Sequence, residues 1–332
     1  MIGTGVVFTT LRTSMFDSVA VGGKAIFRAE TTLGDWLSQG AFSVTNCNFN
    51  GLELSASSLD YGQMCMCEVE NLLNHCLEHL QELAASYYDE RQRSTAWAVT
   101  TAYYLGFFAT SALLRLIGTP VAFFATEQMK RLQKMAGATS RPGQGAFKVL
   151  VAERVSMTHS RIQIRKADRI HEATWKTAFG TIEAIASGQA SMSVSEALFY
   201  EVLCSRAPFF LGSGFDWPSV VRNRVNYRPG FGYQLRHSKF PIRQILEAWR
   251  GASEDKVLEI LRSTESRVSG GEDFRFRVEM MFNTAIVTYL LVRKLYRELV
   301  ERGLTDRRWE HSRDAFQQTM CIKGAEFPLW AE

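Results

Sequence analysis

Between Val221 and Phe240 the chain reads "VRNRVNYRPGFGYQLRHSKF", setting Arg222, Arg224, Arg228, Arg236 and Lys239 around Tyr227, Phe231 and Tyr233 with no acidic residue among them. Guanidinium forks match phosphate oxygens in two-point hydrogen bonds, and aromatic faces accept stacked bases. Gly230 and Gly232 would let the backbone approach a ligand closely. The candidate contact set for a nucleic acid or a protein partner is therefore Arg222, Asn223, Arg224, Tyr227, Arg228, Tyr233, Arg236 and Lys239. The same residues also suit a buried aromatic turn whose arginines hold helix C-termini or a partner's carboxylates. Both readings stand at this level.

Other chemistries have less to build on. His75 and His79 in "HCLEH" lie one helical turn apart, near Cys65 and Cys67, but the spacing is not HExxH. Cys65 and Cys67, two apart, point in different directions on a helix, so a closed four-ligand site is not assembled and no metal is expected. "GTGVVF" at Gly3 and "RPGQGAFK" at Arg141 lack the flanking elements or the GK[ST] ending of a phosphate loop. "LGSGF" holds Ser213 between glycines without the G-x-S-x-G frame of a nucleophile elbow. No motif calls for a cofactor.

The elements that must position these residues are mostly helical. "CEVENLLNHCLEHLQELAASYY" carries an apolar stripe at Leu72, Leu73, Cys76, Leu77, Leu80 and Leu83. A second helix runs from Ser94 as cap to Gly118 as terminator, and the joining "DERQR" predicts an antiparallel hairpin. Its stretch Ser94–Leu114 is uncharged and long enough to cross a bilayer, but six Ser/Thr hydroxyls and the Arg115 that follows favour a core helix, so no membrane is expected. "AGATSRPGQGAF" reads as a loop; "KADRIHEATWKTAFGTIEAIASG", "SVSEALFYEVLCSRAPFF", "IRQILEAWRG", "SEDKVLEILRS" and "EDFRFRVEMMFNTAIVTYLLVRKLYRELVERG" read as helices. The basic aromatic stretch falls in a Gly/Pro-rich connection between them. Before residue 60, "GVVFTTL", "VAVGGKAIF" and "FSVTNCNFNGLELSAS" predict a few short strands or an irregular cap.

Composition narrows the classes. With 46% hydrophobic and 22% charged residues in 332, the chain is an ordinary globular protein rather than a disordered or fibrous one. The net charge of +4 is mild, but Arg222–Arg250 carries net +6 and Arg141–Ile170 net +5, a concentration that favours an anionic partner. Six cysteines without a framework spacing, and an N-terminus without a secretory pattern, fit a reducing cytoplasm.

The helix "TAYYLGFFATSALLRLIG", followed downstream by "VRNRVNY", resembles the HEPN superfamily, and "RIHEATWK" at Arg169 is similar to a segment of HEPN-like proteins from bacterial defence loci. The resemblance covers about residues 62–240. It implies a HEPN-like helical bundle with inserted helices; with the residue patterns above, the expected fold is mainly α, a helical HEPN-like domain over 61–332 with a C-terminal helical extension, preceded by a short, partly β extension over 1–60. It also implies a homodimer or a larger protein complex. In catalytic HEPN proteins paired Arg/His motifs cut RNA without a metal. Arg222 matches the family arginine and Asn223 the polar residue after it, but the histidine's places hold Tyr227, Arg228 and Pro229. A tyrosine, with a pKa near 10, is a poor proton shuttle at neutral pH. The expectation is a non-catalytic subunit that binds RNA or DNA, or joins other proteins in a prokaryotic antiviral or toxin-type complex. The alternatives are a ribonuclease using Arg222, Asn226 and Tyr227, and a pure protein-interaction adaptor.

Overall fold

The computed structural model describes residues 6–18, 32–40, 42–88, 94–154, 158–187, 214–227, 244–245, 259–260 and 274–305. In chain order the labelled elements are α1 (Val6–Ser18), α2 (Leu33–Gln39), β1 (Phe42–Asn48), β2 (Gly51–Ser57), α3 (Ser58–Tyr88), α4 (Thr95–Leu116), β3 (Val121–Phe124), α5 (Thr126–Met135), β4 (Gly145–Arg154), β5 (His159–Lys166), α6 (Ile170–Ser187), α7 (Trp217–Tyr227) and α8 (Phe274–Glu301).

Helix α4 is the centre of the molecule because almost nothing on it needs water. Its residues from Ala98 to Leu116 are nearly all buried, and α3 and α8 pack most extensively on it, with α6 and α7 closing other sides. It is the one helix among the described residues long and apolar enough to cross a bilayer, and 78% of its most apolar window is buried inside the fold. Gly106 sets the closeness of this packing: a Cβ there would lie 3.1 Å from Ala285 Cα and 3.2 Å from the Trp175 ring. The helix ends where Gly118 takes a φ of 73°, in the left-handed region.

The expected mainly α fold, a helical bundle with β structure confined to a short N-terminal extension, is corrected by a five-stranded antiparallel sheet of order β1-β2-β5-β4-β3. Three of its strands lie beyond residue 120, in the region expected to be helical, and β5 pairs along the full length of β2. The physical cause is period-two burial. Leu52, Leu54 and Ala56 on β2, and Ile162 and Ile164 on β5, turn inward, while Glu53, Arg161 and Arg165 turn outward. Helix α3 packs on β2 and β5, and the Ser58 and Ser160 hydroxyls, 2.7 Å apart, tie its first turn to β5.

Local expectations divide. The stripe of α3, the span of α4 and the helices α6 and α8 are present, and "FSVTNCNFNGLELSAS" is the β1–β2 hairpin. Residues 6–11 of "GVVFTTL", expected as a short strand or part of an irregular cap, belong instead to α1. Val221–Tyr227, expected in a connection, is the body of α7, whose first turn begins with hydrogen bonds from Ser219 N and Val220 N to the Asp216 carbonyl. "VAVGGKAIF", "SVSEALFYEVLCSRAPFF" and most of "IRQILEAWRG" and "SEDKVLEILRS" lie outside the described residues.

Candidate functional site

Residues 219, 222 and 226 are spaced three and four apart, so once this segment is helical they form one stripe of α7. The stripe lies against the middle of α4 and the start of α6. Arg222 holds its guanidinium carbon 5.2 Å from the Tyr103 ring centre and 5.7 Å from that of Tyr104, a cation–π arrangement over two rings. Its Nη1 donates to Asn223 Oδ1 at 2.8 Å, while its Nε is enclosed without a hydrogen-bond partner. No carboxylate among the described residues pairs with Arg222.

Beneath the guanidinium lies a buried polar knot. The fully buried Tyr103 hydroxyl is 2.9 Å from His171 Nδ1, 3.2 Å from Ser219 Oγ and 3.5 Å from Trp175 Nε1. An assignment that satisfies every group has Trp175 and Ser219 donating to the phenol oxygen and the phenol donating to His171 Nδ1, leaving the imidazole proton on Nε2. Burial raises the Tyr103 pKa, against the opposing pull of the Ser219 and Trp175 hydrogen bonds and the Arg222 charge. Burial first, and the Arg222 charge second, push His171 down to about 4. Both groups are therefore neutral at physiological pH, beside a permanent cation.

The His171 ring sits 4.3 Å from the Phe107 ring centre, and both residues line a cleft of about 470 Å³ that continues to Ile170, Ser111 and the buried Glu68–Arg115 ion pair. The pair is internally satisfied: Glu68 accepts from Leu33 N as well as from Arg115, and Arg115 Nη1 donates to the Ser111 carbonyl. It fastens α2, α3 and α4 together beneath the cleft. On the other side of the α4 ridge, His75 stacks on Phe108, and His79 on Phe108 and Tyr104. Among the described residues no group of three His, Cys, Asp or Glu side chains is gathered for a metal, and Cys65 and Cys67 are buried free thiols.

The residues singled out in the sequence reach different places. Arg222 is half-buried in the knot; Asn223 is exposed and orients it. Asn226 Oδ1 is 3.0 Å from the Thr100 hydroxyl, joining the end of α7 to the second turn of α4. Tyr227 just beyond is 73% exposed, as is Trp97, at 62%, one turn before Thr100. Arg224 is half-buried on α7 and outside the knot. Arg228, Tyr233, Arg236 and Lys239 lie outside the described residues. The residues that sequence reasoning missed are Tyr103, His171, Trp175 and Ser219. His171 and Trp175, four apart in "RIHEATWK", share a helix face, a signal that becomes specific only when a second helix is known to lie against it. No family model, curated protein or solved structure matches this chain.

Proposed function

We propose that this chain is a non-catalytic nucleic-acid-binding subunit that works within a larger assembly. The observation that carries the reading is Arg222: a half-buried guanidinium spread over two tyrosine rings, with no carboxylate paired to it among the described residues. A phosphate oxygen is the ligand such a group suits best. The exposed Tyr227 and Trp97, brought to adjoining turns by the Asn226–Thr100 contact, supply faces for bases or for a protein partner. The likeness of α4 and of Arg222–Asn223 to HEPN proteins supports a place in a prokaryotic defence or toxin-type complex in the cytoplasm, and contact with further protein subunits.

A second reading, metal-independent RNA cleavage, gains one observation: a histidine, His171, lies beside Arg222 through the fold rather than through the linear motif. Its chemistry weighs against that reading. A group that titrates at about 4 is deprotonated at neutral pH and cannot supply the proton a leaving group needs. Asn226 is engaged with Thr100, and Tyr227 is largely exposed.

Labelled single-stranded RNA and DNA incubated in EDTA, scored together for retardation and cleavage over a salt series, test the proposal. Binding should weaken as salt rises, no product should form, and Arg222→Ala should weaken binding on the order of tenfold, the loss expected of one charge-assisted contact. Cleavage abolished by Arg222→Ala would replace this reading with the second one. An absence of binding to either polymer would leave the protein-adaptor role alone.

A further inference from the structure

The second basic segment of the sequence, Arg141–Ile170, is largely the β4–β5 hairpin, and its register arranges the charges. Lys148 lies directly opposite Arg165, and Arg165 lies opposite Gly51, which in turn faces Asn48 on β1. The next row on the same face runs Leu150, Gln163, Glu53 and Asn46. At Gly51, where a Cβ would collide with the Ile164 carbonyl oxygen, β2 and β5 are in close contact, and beside it lies a groove of about 310 Å³ lined by Asn46, Asn48, Asn50, Glu53, Gln163 and Arg165 among others. Phe49, at the β1–β2 turn beside it, is 74% exposed.

Two like charges directly opposite on adjacent strands cost stability. Neither is relieved: among the described residues Lys148 and Arg165 have no carboxylate within ion-pair distance, and Arg165 Nη2 instead donates to Gln163 Oε1 at 2.7 Å. Burial, and then the Arg165 charge, lower the Lys148 pKa, the direction expected of two cations held together. The one carboxylate in the groove, Glu53, accepts from Gln163 Nε2 at 2.9 Å, so Gln163 stands between it and the arginine.

We propose that this sheet face is a second nucleic-acid surface and that its occupant is single-stranded RNA. Lys148 and Arg165 take the phosphates, Phe49 stacks a base, and the carboxamides of the groove meet the ribose. The polymer follows from the lining: Asn and Gln side chains both donate and accept, as does a 2′-hydroxyl, whereas deoxyribose offers them no such group. Glu53 remains as an acceptor for base amino hydrogens. The inference rests on the reading that the chain binds nucleic acid, and adds to it a surface and a polymer.

The test uses the full chain, a labelled oligouridylate and the matching oligothymidylate, with the wild type, the double variant Lys148→Gln/Arg165→Gln, Phe49→Ser and Arg222→Ala. The double variant removes the facing charges without adding new ones, so its Tm should stay level or rise. It should nevertheless bind RNA on the order of tenfold more weakly, with a salt slope lower by about 1.4, two contacts at about 0.7 each for a single strand. Phe49→Ser should weaken RNA binding roughly tenfold. Wild-type RNA binding that the double variant leaves unchanged would overturn the inference while the Arg222 reading stands. Equal or tighter binding of the thymidylate would overturn the choice of RNA, and no binding of either polymer by the wild type would remove both proposals.

Discussion

His171 joins the candidate site to the stability of the fold. In the native protein burial and the neighbouring Arg222 hold it neutral down to about pH 4, whereas in the unfolded chain it takes a proton near pH 6.5. Its folded pKa is thus depressed, and the unfolded state binds more protons throughout that interval. The stability it contributes is complete above about pH 6.5 and is lost as the pH falls toward about 4. His171→Gln, which can still accept from Tyr103, should flatten this part of the curve in urea denaturation followed from pH 7 to pH 4; an undiminished slope would assign the acid sensitivity to other groups. Arg222→Ala removes the second cause of the shift and leaves the first, so the imidazole resonances should titrate at a higher pH than in the wild type while remaining below the ordinary value.

At the scale of elements, the approach of α4 to α8 and α6 depends on the hydrogen side chain of Gly106. Gly106→Val would place two methyl groups against the backbone of Ala285 and the fully buried Trp175, and the gain in helix propensity over glycine is too small to offset that. We expect a loss of about 2–3 kcal/mol in unfolding free energy measured by denaturant titration, the upper range for overpacking a dense core, and a weakened Arg222 site because α4 carries both tyrosines. How far these elements were legible in the sequence follows from their periods. The leucine stripe of α3 and the uncharged length of α4 repeat over several turns; α4 has the expected span, and α3 contains its expected stretch but begins earlier, at Ser58. Strand β5 carries its signal in only eight residues, "HSRIQIRK", and a count of charge across that region averages away the alternation of Ile162 and Ile164 with Arg161, Gln163 and Arg165. The arginine of the site was legible because its type and neighbours are unusual. Its histidine was not, because 51 positions separate His171 from Arg222 and only the packing of α6 and α7 on α4 brings the rings of Tyr103 between them.

At the scale of the whole molecule, the two basic sequence segments become two different kinds of surface. The described part of Arg222–Arg250 is a helix face that lays one guanidinium over aromatic rings; Arg141–Ile170 is largely a sheet face that sets two cations opposite each other. A single strand engaging both would show a steeper salt dependence than either variant alone retains. The sheet also imposes an order of events. The hairpin Phe42–Ser57 is synthesised about 100 residues before β5, which supplies the partner of β2. At about 5–20 residues per second the β2 edge therefore waits on the order of 10 s on the ribosome with its amides unmatched. Chains truncated after Arg154 should accumulate as aggregates where the 332-residue chain remains in the supernatant, and soluble, monodisperse truncated chains would show that the edge is shielded by other means. The strand that completes the sheet is also the one that carries Arg165, so the surface offered to an anion exists only once the most exposed moment of synthesis has passed.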